Sequence, residues 1–161
     1  MTLAVDAFSE LVTAFSERMG HPRAAGAVST GFEFETDDHV LRCLTHPADP
    51  ARYLVEAHVC TIEPSDQRNA ALLLMLHQLN EAAALSTGWI LLIDTEMRVL
   101  IQCALTLEGA TALQLEGELA QALERAQGLR QLIERYRQER RTDHPAPGLA
   151  DLELRLGTQR A

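Results

Sequence analysis

The side chains best able to do chemistry in this chain crowd into one short stretch: His39, Cys43 and His46, then His58 and Cys60. Within alternating segments, His39 and Cys43 point to one side of their strand, and His58 and Cys60 to one side of the next. If those strands pair, imidazole nitrogens and thiolates converge into a mixed set of the kind zinc accepts. The spacings match no established zinc motif, and cysteines in alternating strands ordinarily serve as small packing residues. No metal or other cofactor is therefore assigned. Cys103, between Ile101 and Leu105, has no basic neighbour to lower its pKa and reads as a core residue. His77, on an apolar helix, reads as an interface or core histidine rather than a catalytic one. Glu33 and Glu35 with Asp37 and Asp38 could hold a cation, but an exposed strand edge followed by a turn accounts for them. No Gly-rich phosphate loop, G-x-S-x-G elbow, H-E-x-x-H pair or paired C-x-x-C occurs. With no nucleophile, base and oxyanion site in one place, the chain reads as a binding protein and not an enzyme.

Charge narrows what it binds. The 161 residues carry a formal net charge of −9, and all 14 cations are arginine. Nucleic acid is disfavoured, because neutralising phosphates needs a surplus of cations on one face. Anionic membrane surfaces are disfavoured for the same reason. The acidity is concentrated: between Gly31 and Glu118 there are 14 acidic residues and 4 arginines. The 3 cysteines are an odd number, which excludes a complete disulfide framework and suits a reducing compartment. No signal peptide and no apolar run long enough to insert in a membrane is evident. The expectation is a soluble, cytoplasmic protein whose length fits a single domain.

The elements that must position these residues follow from periodicity. Phe8, Leu11, Val12, Phe15 and Met19 form one stripe, predicting a helix over Asp6–Met19 with Asp6 as N-cap and Gly20 as stop. Strict alternation predicts a strand over Gly31–Glu35, with Phe32 and Phe34 on one face. Asp37-Asp38 marks a turn before a strand over His39–Thr45, and a third strand covers Arg52–Ile62. Ser65 caps a helix reaching about Leu85, apolar around most of its circumference, so that one side is expected to meet a subunit partner. Trp89–Ile93 and Arg98–Leu105 are strands joined through Asp94–Met97. Leu115, Leu119, Ala122, Ala126, Leu129, Ile133 and Tyr136 define a long helix over Thr111–Arg140. The order α-β-β-β-α-β-β-α predicts an α+β fold, an antiparallel sheet with helices packed on one face. Residues 141–161 read as a flexible C-terminal tail after a domain over 1–140. Candidate binding surfaces are the first helix, the Phe32/Phe34 strand, and whichever sheet edge is left unpaired, where an extended peptide could add.

Three segments carry a resemblance: Leu72–Asn80 with its L-L-x-x-N ending, Gly88–Asp94 leading into an Asp-containing turn, and the strand Arg98–Leu107. With the opening amphipathic helix and the long final one, the chain resembles the class I type III secretion chaperones, the Tir-chaperone-like family, over residues 4 to 140. The His46–Pro50 turn, longer than a tight hairpin, and the tail depart from the family pattern. The resemblance implies a bacterial, cytoplasmic, non-enzymatic homodimer that holds the N-terminal segment of effector proteins in extended, soluble form. Its partners would be type III effectors, a second copy of itself and the secretion ATPase. Carried over by position, Phe8, Leu11, Val12, Phe15, Phe32 and Phe34 would contact the effector, and Met75, Leu76, Leu79 and Trp89 the second subunit. Two further readings stand beside this one: a His/Cys metal-binding enzyme or sensor, and a regulatory dimer that binds a folded partner.

Overall fold

A computed structural model describes residues 2–20, 31–36, 39–63 and 69–143. The elements are α1 (Thr2–Arg18), β1 (Gly31–Thr36), β2 (His39–Thr45), β3 (Arg52–Thr61), α2 (Asn69–Thr87), β4 (Trp89–Ile93), β5 (Arg98–Thr106) and α3 (Ala112–Asp143). The α+β order is the one expected. The first helix begins four residues before Asp6 (at Thr2), because Leu3 and Ala4 are good helix formers and Asp6 ends nothing. The Asp37-Asp38 turn, the Ser65 cap and the tail beyond Asp143 lie outside the described residues. By compactness the chain divides into two units, Met1–Arg130 and Gln131–Ala161. The fold described below is that of the first.

Five strands form one antiparallel sheet in the order β1-β2-β3-β5-β4. Side chains alternate between its faces, so the register decides what each face carries. Phe32 pairs with Cys43, Cys43 with Val55, Val55 with Cys103 and Cys103 with Trp89, an apolar row in which every member is buried. One residue along, the opposite face carries a polar row: Glu33, Arg42, Glu56 and Gln102 are successive cross-strand partners. Arg42 donates from Nε to Glu33 and from Nη1 to Glu56, and Gln102 donates to the other oxygen of Glu56. Glu56 is only 6% exposed. A buried carboxylate is costly unless paired and hydrogen-bonded, and these two donors meet that need.

The helices lie toward the apolar row. Phe8 of α1 meets Tyr53, and Phe15 stacks on Phe32. Arg125 of α3 lies 5.6 Å over the Trp89 ring. Leu72 and Leu76 of α2 are buried, as are Leu115, Leu119, Ala122 and Ala126 of α3. A reciprocal cap starts α3: Thr111 N–H donates to the Gln114 side chain, and Gln114 N–H donates to Thr111 Oγ1. Between α2 and β4 the chain turns at Gly88, whose φ of +73° suits a residue without a Cβ. At Gly31 the reason for glycine is space, since a Cβ would lie 2.5 Å from the Cys43 carbonyl oxygen.

The β4–β5 turn is organised by Asp94. Its Oδ1 accepts from the N–H groups of Glu96 and Arg98 at 2.9 Å each, and Oδ2 accepts from the Arg98 guanidinium. The Arg98 N–H above all, then its guanidinium and the Glu96 N–H, holds the Asp94 carboxyl below its ordinary value of 3.8. Asp94→Ala should therefore lower the urea midpoint at pH 7. The charged form's contribution is complete above the ordinary value and is lost as pH falls through the depressed one, so the gap between the two proteins should narrow in acid. Equal midpoints at pH 7 would show that the turn does not depend on Asp94.

Candidate functional site

A sheet of five strands has two edges, and this one treats them differently. At β4, the Leu91 N–H is taken by Asn80 Oδ1 of α2 at 2.7 Å, so a helix side chain occupies the outer edge. At β1, no described strand pairs with the outer side of Gly31–Thr36. Such an edge presents alternate N–H and C=O groups to any extended chain that approaches it.

Beside that edge lies an open groove of about 530 Å³, lined by Phe15, Ser16 and Met19 of α1 and by Phe32 to Thr36 of β1. Its apolar wall is a cluster of three rings. Phe15 and Phe32 have centroids 5.5 Å apart, Phe32 and Phe34 6.0 Å, and Phe15 and Phe34 6.3 Å. These separations fall in the favourable range for aromatic pairs. Phe15 and Phe32 are packed at the base, Phe34 is half-buried, and Met19 is 48% exposed. The site thus combines the outermost described strand of the sheet with a soft apolar wall, a shape suited to a strand-like peptide.

The structure separates the residues expected to bind. Phe15, Phe32 and Phe34 come together at the groove. Phe8, Leu11 and Val12 do not: all three are closed into the protein's own core, Phe8 against Tyr53. Met19, Ser16 and Thr36 were missed as lining residues; Met19 already stood on the apolar stripe of α1, one turn past Phe15. The residues expected at a subunit interface divide in the same way. Leu76 is 3% exposed and Trp89 lies under Arg125, so both serve this subunit's interior. Met75 and Leu79 are half-buried, while the neighbouring Leu74 is 58% exposed.

The histidine and cysteine cluster does not assemble. Leu41 pairs with Ala57, which puts His39 and Cys43 on the apolar face and His58 on the opposite one, with a bulge between His58 and Cys60. His39 Nδ1 is instead 3.1 Å from the His58 carbonyl oxygen. Among the described residues no three His, Cys, Asp or Glu side chains could hold a metal ion. Glu33, one of the acids considered for a cation, is paired with Arg42. His77 is not a core histidine; it is exposed on α2, 3.6 Å from Glu81. Burial pushes the Cys43 thiol up to about 12 and raises that of Cys103, the opposite of what a nucleophile needs. Burial likewise raises the Tyr53 hydroxyl to about 12.

Solved structures share this fold. A chain of the ExsC-ExsE complex matches with a TM-score of 0.67 and 19% identity, covering 80% of this chain and 95% of that one. A chain of the HopA1-SchA chaperone-effector complex matches at 0.63 and 17% identity, covering 80% and 97%. A third match, at 0.53 and 16% identity, covers 74% of this chain and 96% of a chain from the structure of the Yersinia pestis type III secretion chaperone SycH with a stable fragment of YscM2. At these identities the likeness establishes the fold. No protein-family model and no curated protein matches the chain. No described helix is long and apolar enough to cross a membrane.

The buried thiol gives a direct check of the interior. In native protein at pH 8, Cys43 should resist iodoacetamide under conditions that alkylate all three cysteines in urea, read by peptide mass analysis. Native labelling of Cys43 at the unfolded rate would contradict its placement.

Proposed function

We propose that this protein is a type III secretion chaperone that holds the N-terminal segment of an effector in extended form along the β1 edge. The observation that carries this reading is a ring-lined groove beside β1, the outermost described strand of the sheet, in a fold shared with chaperone-effector complexes. Main-chain bonds would give the client its strand geometry, and apolar client side chains would fill the groove beside Phe15, Phe32 and Phe34. The work is binding without catalysis. Raised cysteine pKa values and the dispersal of the histidines support that view. The net charge of −9 would keep a protein loaded with an apolar segment dispersed in the bacterial cytoplasm.

The protein would act as a homodimer. Support comes from the α2–β4 side, where Leu74 of α2 and Ile93 of β4 are exposed and Met75 and Leu79 half-buried. Exposed apolar residues gathered in this way mark association surfaces. Leu76 is the wrong residue to test, since a charge there would disrupt the subunit's own core. Light scattering should give a mass near twice 17.8 kDa, and Leu74→Glu should halve it without changing the circular dichroism. A wild-type monomer at micromolar concentration would contradict the dimer.

Client binding is tested by co-expression with an effector N-terminal segment. Phe34→Glu, at a half-buried ring, should leave the fold intact and weaken capture by at least about 30-fold, the cost of losing one dominant aromatic contact. Undiminished capture would move the binding site away from this groove.

A further inference from the structure

The groove accounts for one face of a bound strand. The other face has its own chemistry. A strand added beside β1 places side chains alternately on the two faces of the sheet, in step with β1 itself. Residues level with Phe32 and Phe34 enter the groove. The residues between them stand on the opposite face, level with Glu33 and Glu35, at the separation where cross-strand pairs interact.

Those two carboxylates are not equivalent. Glu33 accepts a hydrogen bond from Arg42, whose guanidinium is shared with Glu56. Glu33 and Glu56 hold Arg42 firmly protonated, foremost through the hydrogen bond that Arg42 donates to Glu33. One arginine therefore faces two acids within the polar row, and its charge is spent there. Glu35 is exposed, and no ion pair with it occurs among the described residues. At the outermost described strand, the polar face thus ends in the negative charge of Glu35, which no described ion pair offsets.

We infer that the β1 edge selects client segments in which apolar residues alternate with arginine or lysine, the cation standing opposite Glu35. This rests on the chaperone reading only in that an extended segment occupies the groove. It adds that the site reads charge on the face turned away from the groove. Glu35 is a specificity residue here, and Phe15, Phe32 and Phe34 supply affinity that does not discriminate charge.

The test uses the full chain and short labelled peptides with a valine-X-isoleucine-X-valine core, X being arginine, glutamine or glutamate, followed by fluorescence anisotropy. Affinity should fall in the order arginine, glutamine, glutamate, with about fivefold between the extremes, the size expected when one favourable cross-strand pair becomes a repulsive one. The order should flatten in Glu35→Gln, reverse in Glu35→Arg, and weaken at high salt because the pair is exposed. Equal binding of all three peptides to the wild-type protein would overturn the charge selection and leave the groove reading intact. So would an order that survives in Glu35→Gln. Binding of none of them, with the fold verified by circular dichroism, would overturn the groove reading and this inference together.

Discussion

Everything at the candidate site depends on the register between β1, β2 and β3. A slip of one residue would turn Phe32 and Phe34 to the polar face and bring Glu33 and Glu35 against α1. Two rows hold the register from opposite sides. On one face Phe32, Cys43, Val55 and Cys103 pack as neighbours; on the other, Arg42 bridges Glu33 and Glu56 while Gln102 completes Glu56. The buried position of Glu56 makes the second row selective, because any other pairing would leave a desolvated carboxylate without donors. The tight approach at Gly31, where a Cβ would strike the Cys43 carbonyl, fixes the start of β1 in the same alignment.

The two sheet edges then take different fates for local reasons. The β4 edge is tied to α2 by the Asn80–Leu91 hydrogen bond, and the β4–β5 turn is locked by the Asp94 acceptor. The β1 edge has no comparable cover among the described residues, and Phe15 of α1 supplies an aromatic wall beside it. Exposed edges are usually an aggregation hazard. Here the acidic side chains of β1 and the protein's overall negative charge offset that hazard while leaving the groove face apolar.

Much of this was legible in the chain. Period-two alternation bounded by breakers gave β2 and β4 at their observed limits, and the 4-3 spacing of α3 marked its buried seam. What alternation cannot give is register, and hence face. His39 and His58 looked convergent because each lies on a clean alternating strand; which residues sit opposite depends on the pairing, and Leu41 against Ala57 separates them. The polar row escaped notice for the same reason, although each of its members is plain in the sequence. Helical stripes have a related ambiguity. Phe8, Leu11 and Val12 lie on the stripe with Phe15, and periodicity does not say which end faces the protein's own core. On α2, apolar around most of its girth, it could not distinguish the inward Leu76 from the outward Leu74.

The central claim is that a client pairs with the β1 edge. Residue-resolved amide hydrogen exchange of the protein alone and with a bound effector segment measures it directly. Slowed exchange should appear at amides of β1 and the last turn of α1, with β4 and the β4–β5 turn unchanged. Protection confined to α2 and β4, with β1 exchanging as in the free protein, would contradict the account.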